Sequence, residues 1–277
     1  MWQTRFSGKL NGEIGDVLTE DERVKMITFT GSSQVGWGIR QRAHKKKVSL
    51  ELGNSTPLIV LADADLDKAA TAIAAKGYAF AGQSCISIQR VYVEDAAHDA
   101  LIEKLVPKVQ ALKVGDPLDP ETQVGPVIDG DNRDRIKAWV DDAVAGGATL
   151  LSGGEVGDDG VLRPTLLDDV SLDMEVACHE VFGPVVAVAR VSGLEQAIAL
   201  ANGTDYGLQA GVFTQDITKA MRAARELEFG GVTLNEAPTY RADQMPYGGV
   251  KESGNTREGP KFAVQEMTEP RMIVISL

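Results

Sequence analysis

Long apolar runs are missing from this sequence of 277 residues, and with them the stretch of about 20 apolar residues that a membrane-spanning helix needs. The amino terminus, MWQTRFSGKLNGEIGD, also lacks the apolar core and small-residue cleavage site of a secretory signal. A cytoplasmic protein with no membrane partner is expected. Positive charge is scarce: 28 Lys and Arg stand against 40 Asp and Glu, a net charge of -12. A surface of that sign excludes nucleic acid as a general partner. Cysteine is scarcer still, with Cys85 and Cys178 the two in the chain. Without an export signal they are expected to remain free thiols rather than form a disulfide. Internal repeats, low-complexity tracts and long linkers are absent as well. What is there is an ordinary globular composition, 43% hydrophobic and 25% charged, in a chain long enough for one large domain or two.

Strand-like and helix-like segments alternate along it. A β-rich run at 24–30 is broken by Gly31-Ser32-Ser33 before a helix expected over 34–46. Strand-like runs follow at 48–52 and 57–61, and Asp65 has the position of an N-cap for an alanine-rich helix over 66–80. After a strand at 90–93, amphipathic helices are expected at 95–112 and 131–146, strands at 164–167 and 185–189, and helices at 194–202 and 217–227. The chain closes with a strand at 232–235, a glycine-rich loop at 247–251 and a terminal strand at 272–275. Alternation of this kind predicts an α/β protein with largely parallel sheets.

Four short stretches carry chemistry. Cys85 follows Ala81-Gly82-Gln83-Ser84; a thiol is nucleophilic when deprotonated, and a polar loop permits that. Taken singly, a cysteine among Ala, Ile and Val is more often a small buried hydrophobe. Glu51 ends an apolar strand at Glu-Leu-Gly, and ligands collect at the carboxyl ends of strands in α/β sheets. A partly desolvated glutamate there can act as a general base; the plain alternative is a carboxylate facing water. Gly31-Ser32-Ser33-Gln34-Val35-Gly36 joins strand to helix, so its backbone N–H groups can face a phosphate, although glycine turns precede many helices. In Glu180-Val181-Phe182-Gly183-Pro184, a carboxylate and an aromatic two residues apart point to one side if the chain is extended.

In this order and separation the four stretches resemble the aldehyde dehydrogenase superfamily. The matching residues are Phe29-Thr30-Gly31-Ser32 with Val35-Gly36, Glu51-Leu52-Gly53, Gly82-Gln83-Ser84-Cys85 and Glu180-Val181-Phe182-Gly183-Pro184, joined by Asn235 and the loop from Pro246 to Gly254. The resemblance implies an α/β fold with a complete catalytic domain at 52–245, a partial Rossmann-type coenzyme domain at 1–51, and a return segment with an oligomerisation strand at 246–277. It implies that Cys85 attacks an aldehyde carbonyl and Glu51 activates the water that hydrolyses the resulting thioester. NAD or NADP is the implied cofactor, held by Gly31, Ser32, Gly36, Leu52, Glu180 and Phe182, with no metal. Arg241 and Tyr247 are implied at the aldehyde entrance, where a guanidinium suits an anionic substrate; for Arg241 the alternative is a pair with Asp243 or Glu236.

Relative to the family, a long segment ahead of Phe29-Thr30-Gly31-Ser32 is not in this sequence. The resemblance implies that it carries the first coenzyme-domain strands and the asparagine that completes the oxyanion hole. Asn54 also stands where a second glycine is usual. Three function classes are therefore expected to compete: an NAD(P)-dependent aldehyde dehydrogenase acting on a small aldehyde, a cofactor-independent esterase using Cys85 and Glu51, and an inactive interaction module. A homo-oligomer is expected.

Overall fold

The computed structural model describes residues 13–277; residues 1–12, and the amino-terminal part of the expected coenzyme segment with them, lie outside that range. Helix α1 (Glu13–Glu20) leads into strand β1 (Met26–Thr30), helix α2 (Ser33–Arg42) and strand β2 (Lys47–Glu51). β1 and β2 form a parallel two-stranded sheet, with Thr30 opposite Glu51. α2 ends four residues earlier than the sequence predicts, at Arg42. Ala43 caps it, and Lys47 already belongs to β2.

A larger sheet is built from β3 (Thr56–Val60), β4 (Ile88–Glu94), β5 (Thr149–Ser152), β6 (Thr165–Asp168), β7 (Val185–Val191), β8 (Gln209–Phe213) and β9 (Gly231–Leu234). Its order is β5-β6-β7-β4-β3-β8-β9, and only the β5–β6 pair is antiparallel. All five residues of β3, TPLIV, are buried, as a central parallel strand covered on both faces should be. The period of two sorts its side chains. Leu58 and Val60 face one core with Ala69, Ala70 and Ile73 of α3 (Leu66–Gly77) and Leu101 and Leu105 of α4 (Asp95–Gln110). Ile59 and Leu61 face the other, with Ala197 and Ile198 of α7 (Leu194–Asn202) and Ala223 of α8 (Ile217–Glu226). Burial of each large side chain contributes about 1.5–3 kcal/mol over leaving it exposed. Asp65 caps α3 as expected, its carboxylate accepting from Lys68 N at 3.0 Å.

Helix α5 (Gly130–Ala145) and the single turn α6 (Glu175–Cys178) flank the β6–β7 end of this sheet. The last described helix is α9 (Pro260–Met267). Before it, residues 247–258 return to the small sheet: Gly254 bridges Glu51, Leu52 N donates to Ser253 O at 3.1 Å, and Leu50 N donates to Asn255 Oδ1 at 2.9 Å. Residues 272–275, expected as a strand, form none within this chain. Met272, Ile273, Val274 and Ile275 are exposed and pair with none of the described strands. Among the described residues, no helix is long and apolar enough to cross a membrane.

Candidate active site

Cys85 is delivered by an unusual turn. After α3, Phe80 and Ala81 adopt φ of 53° and 55°, and Gly82 φ of 70°, a left-handed stretch that disfavours side chains by roughly 1–2 kcal/mol per residue. At Gly82 the need for glycine is double, since a Cβ there would lie 1.9 Å from Gly183 O. That close approach draws the cysteine loop against the loop carrying Glu180 and Phe182. Gln83 then locks the turn, donating to Phe80 O at 3.2 Å and accepting from Ile128 N at 2.8 Å. Cys85 is half-buried and, like Cys178, a free thiol. Its Sγ lies 3.5 Å from Tyr247 Oη. Burial pushes the thiol above its usual range and Glu180 and Glu51 add to the rise, while the Tyr247 hydroxyl acts the other way.

Glu51 reaches the same space from the last position of β2. It is 7% exposed, and neither carboxylate oxygen has a hydrogen-bond partner. Burial, seconded by Glu258, pushes its pKa up to about 8, against the opposing pull of Arg241 and Arg257. Gly248 keeps the approach narrow: its φ is 156°, and a Cβ there would meet Thr256 O at 2.1 Å and Glu51 Oε1 at 2.9 Å.

Glu180 and Phe182 are not in extended chain, because Phe182 has φ of 50°. The alternation argument for their common direction therefore fails, yet both line the cavity that Cys85 and Glu51 line. The loop is shaped from outside instead. Gln89 on β4 accepts from Val181 N at 2.9 Å and donates to Val176 O at 3.1 Å and His179 O at 2.6 Å. Arg135 on α5 donates to Val181 O at 2.8 Å, with its guanidinium 4.5 Å from the Trp139 ring. Glu180 Oε1 accepts from Asn54 N at 3.0 Å. Burial pushes Glu180 up to about 7, against Asn54 N–H and Arg135.

The cavity holds about 580 Å³, and Thr30, Gly31, Ser32, Leu52 and Gly53 complete its wall with Gln83, Ser84, Asn132 and Arg135. Ser32 is the N-cap of α2 but its hydroxyl makes no capping bond, so hydroxyl and helix N–H groups both remain open to a ligand. Gly36 lies behind the wall, where a Cβ would meet Leu52 Cδ2 at 2.4 Å. Tyr247 is buried beside Cys85. Arg241 is outside the wall, 3.8 Å from the Tyr247 ring and paired with Glu258 at 2.6 Å, rather than with Asp243 or Glu236. Asn54, in place of a glycine, spans two strands by donating to Thr56 Oγ1 at 2.7 Å and Gln209 O at 3.2 Å. Arg135 and Gln89 escaped the sequence reading, since neither belongs to a motif and each acts on a loop remote in sequence.

This arrangement has close counterparts. The sequence model of the aldehyde dehydrogenase family matches residues 7–273. A 3-sulfolactaldehyde dehydrogenase from Priestia aryabhattai is 50% identical over 265 residues, covering 96% of this chain and 55% of the relative. A lactaldehyde dehydrogenase from Methanococcus aeolicus is 40% identical over 270 residues, covering 96% and 58%. The solved glyceraldehyde-3-phosphate dehydrogenase of Methanocaldococcus jannaschii, complexed with NADP, superposes with a TM-score of 0.89 at 44% identity, covering 93% of this chain and 56% of that one. The chain thus spans somewhat over half the length of the relatives it matches. A cysteine loop, a strand-end glutamate and a strand–turn–helix segment around one cavity, in a chain that the family model matches from residue 7 to residue 273 and that is 50% identical to a family relative over 265 residues, make this chain a member of the aldehyde dehydrogenase family.

Proposed function

We propose that this chain serves NAD(P)-dependent oxidation of a short 2-hydroxyaldehyde to its carboxylate, with residues 52–245 as the catalytic unit. The observation that carries the reading is the Glu51 carboxylate, buried without a partner on the cavity that Cys85 Sγ also enters. Cys85 Sγ would add to the aldehyde carbon, its proton passing to the nascent alkoxide or to water. The dinucleotide, when bound, supplies the acceptor for the hydride lost as the resulting thiohemiacetal becomes a thioester on Cys85. Glu51, ionised, would take a proton from the water that attacks the thioester carbonyl, and release of the Cys85 thiol completes the turnover.

The cradle fits a dinucleotide. The uncapped start of α2 and the Ser32 hydroxyl suit a pyrophosphate, while Glu180 and Phe182 suit a ribose and its ring. Gly53 has no room for a side chain, since a Cβ there would meet Glu180 Oε2 at 2.4 Å. The substrate class comes from the relatives: sulfolactaldehyde, lactaldehyde and glyceraldehyde 3-phosphate share a 2-hydroxyaldehyde and differ at carbon 3. Arg241 is the candidate for reading an anionic group there. Replacing it with Ala should raise KM for the sulfonate or phosphate substrate about tenfold relative to lactaldehyde; unchanged selectivity would remove Arg241 from this role.

Nicotinamide reduction by the purified chain with the three aldehydes and each dinucleotide tests the whole reading. Reduction with at least one pair, and weaker cofactor binding in Glu180→Ala by calorimetry, is expected. A second reading, ester hydrolysis, draws on the fact that acyl transfer requires only Cys85 and Glu51, both on the cavity. No reduction at saturating dinucleotide, with hydrolysis of an activated ester that vanishes in Cys85→Ser, would put that reading in place of the first.

A further inference from the structure

Outside the cavity, the single turn α6 and its C-cap residue carry three side chains of metal-ligating type. Glu175 and Cys178 stand at i and i+3 of the turn, on one helix face, and His179, extended at the C-cap, joins them. Their ligand atoms all lie within 4.8 Å of one another, and they are the one such group of three among the described residues. His179 Nε2 is 3.4 Å from Glu175 Oε2. A tetrahedral ion about 2.0–2.1 Å from a nitrogen and an oxygen ligand sets them roughly 3.3 Å apart.

The peptide beneath is held from inside. Val176 and Ala177 are buried. Val176 O and His179 O accept from Gln89 Nε2, and Ala177 O accepts from Ser55 Oγ at 3.4 Å. The backbone of the turn is thus fixed while Glu175 and His179 remain about half exposed. The His179 ring also rests against Trp139, with centroids 6.0 Å apart. An ordinary i,i+4 ion pair accounts for Glu175 and His179 but not for a half-buried free thiol between them.

We propose that Glu175, Cys178 and His179 form a site for a thiophilic first-row divalent cation of the zinc type, with water in the fourth position. Thiolate and imidazole select such an ion over magnesium or calcium. On binding, the Cys178 S–H bond gives way to a sulfur–metal bond and the proton leaves to solvent, with no change of oxidation state. Because His179 immediately precedes Glu180, ligation would add a side-chain tether to the backbone that leads into the cavity wall.

Cobalt(II) is the probe, titrated into the purified 277-residue chain. A thiolate-to-cobalt charge-transfer band with tetrahedral visible bands is expected, displaced by zinc and not by magnesium. Cys85→Ser should retain the spectrum. Cys178→Ser should lose the charge-transfer band and bind at least about a hundredfold more weakly, and Glu175→Gln should weaken binding while keeping the band, since even outer-shell partners of a metal are worth 10–100-fold. In the unsubstituted chain, zinc should slow alkylation of Cys178, followed by peptide mass spectrometry, which avoids reliance on any variant's folding. The proposal is overturned by a band that survives Cys178→Ser, by a band lost in Cys85→Ser, by an aqua-like cobalt spectrum, or by zinc-independent alkylation.

Discussion

The two sheets differ in how well their strands are supported. In the seven-stranded sheet, β3 and β8 are buried at every residue, with apolar clusters on both faces. In the two-stranded sheet, no residue of β1 is fully buried, and the associated cluster is limited to Ala43, Val48, Leu50 and Leu52 with a few partly buried neighbours. The candidate site takes from both. Cys85, Glu180 and Phe182 come from loops of the large sheet, whereas Glu51 and the Ser32 turn come from the small one. Cys85, the group proposed for bond formation to carbon, thus stands on the unit with the larger apolar clusters, while the proposed water activation and phosphate binding stand on the one with the smallest. Regions with few buried apolar contacts open locally at lower free energy, so the two halves of the cavity should respond differently to perturbation.

The contrast is broken most completely at the proposed nucleophile. Cys85→Ser should lower aldehyde oxidation and ester hydrolysis together by roughly a thousandfold or more, measured as kcat with folding checked by circular dichroism. Retention of either activity would move the chemistry off the large sheet. Next, Glu51→Gln should slow deacylation about a hundredfold and let an acyl-enzyme on Cys85 accumulate, visible as an added mass on the intact chain. In the unsubstituted chain the proposed deacylation should rise with pH through about 8, where Glu51 ionises. Stability should run the opposite way. A carboxyl raised from 4.5 to about 8 binds its proton more tightly folded than unfolded, so stability is lost as pH rises across that window. Thermal melts of Glu51→Gln should have a shallower pH slope there.

A third change tests the seam itself. Gly82→Ala, at φ of 70° and facing Gly183 O, should destabilise the chain by about 3 kcal/mol in urea melts. A near-neutral result would mean that the cysteine loop can withdraw from the Glu180 loop without cost. The smallest effect needs no mutation: amides of β1 and β2 should exchange at least about tenfold faster than those of β3 and β8, a difference of about 1.4 kcal/mol in opening free energy. Equal protection would erase the distinction between the sheets.

Segments whose own pattern decides their fate were legible in the sequence. The helix expected at 194–202 has those bounds in α7, and β3 and β4 announced themselves as apolar runs. β8, QAGVF, escaped because Gln209 and Gly211 interrupt its pattern and burial between β3 and β9 makes it a strand. β5 escaped because its residues are half-exposed at the sheet edge. At the site, the motifs located Cys85, Glu51, Ser32 and Glu180 but not what orients them. The left-handed φ of Phe182 and the reach of Arg135 and Gln89 to the Glu180 loop are products of packing. Arg241 found its carboxylate seventeen positions on, at Glu258, because residues 247–258 return to the small sheet.

That return has a consequence for biosynthesis. Glu51 sits at the end of β2, but Gly254, which bridges it, and the Gly248, Arg257 and Glu258 that enclose or influence its carboxyl, are made some two hundred residues later. At ribosomal speeds of about 5–20 residues per second, Glu51 waits on the order of ten seconds or longer for the segment that covers it. During that interval all seven strands of the large sheet are made while the carboxyl at the end of β2 stays uncovered. A chain ending just short of Gly254 should therefore carry every strand of the large sheet with the Glu51 carboxyl still uncovered.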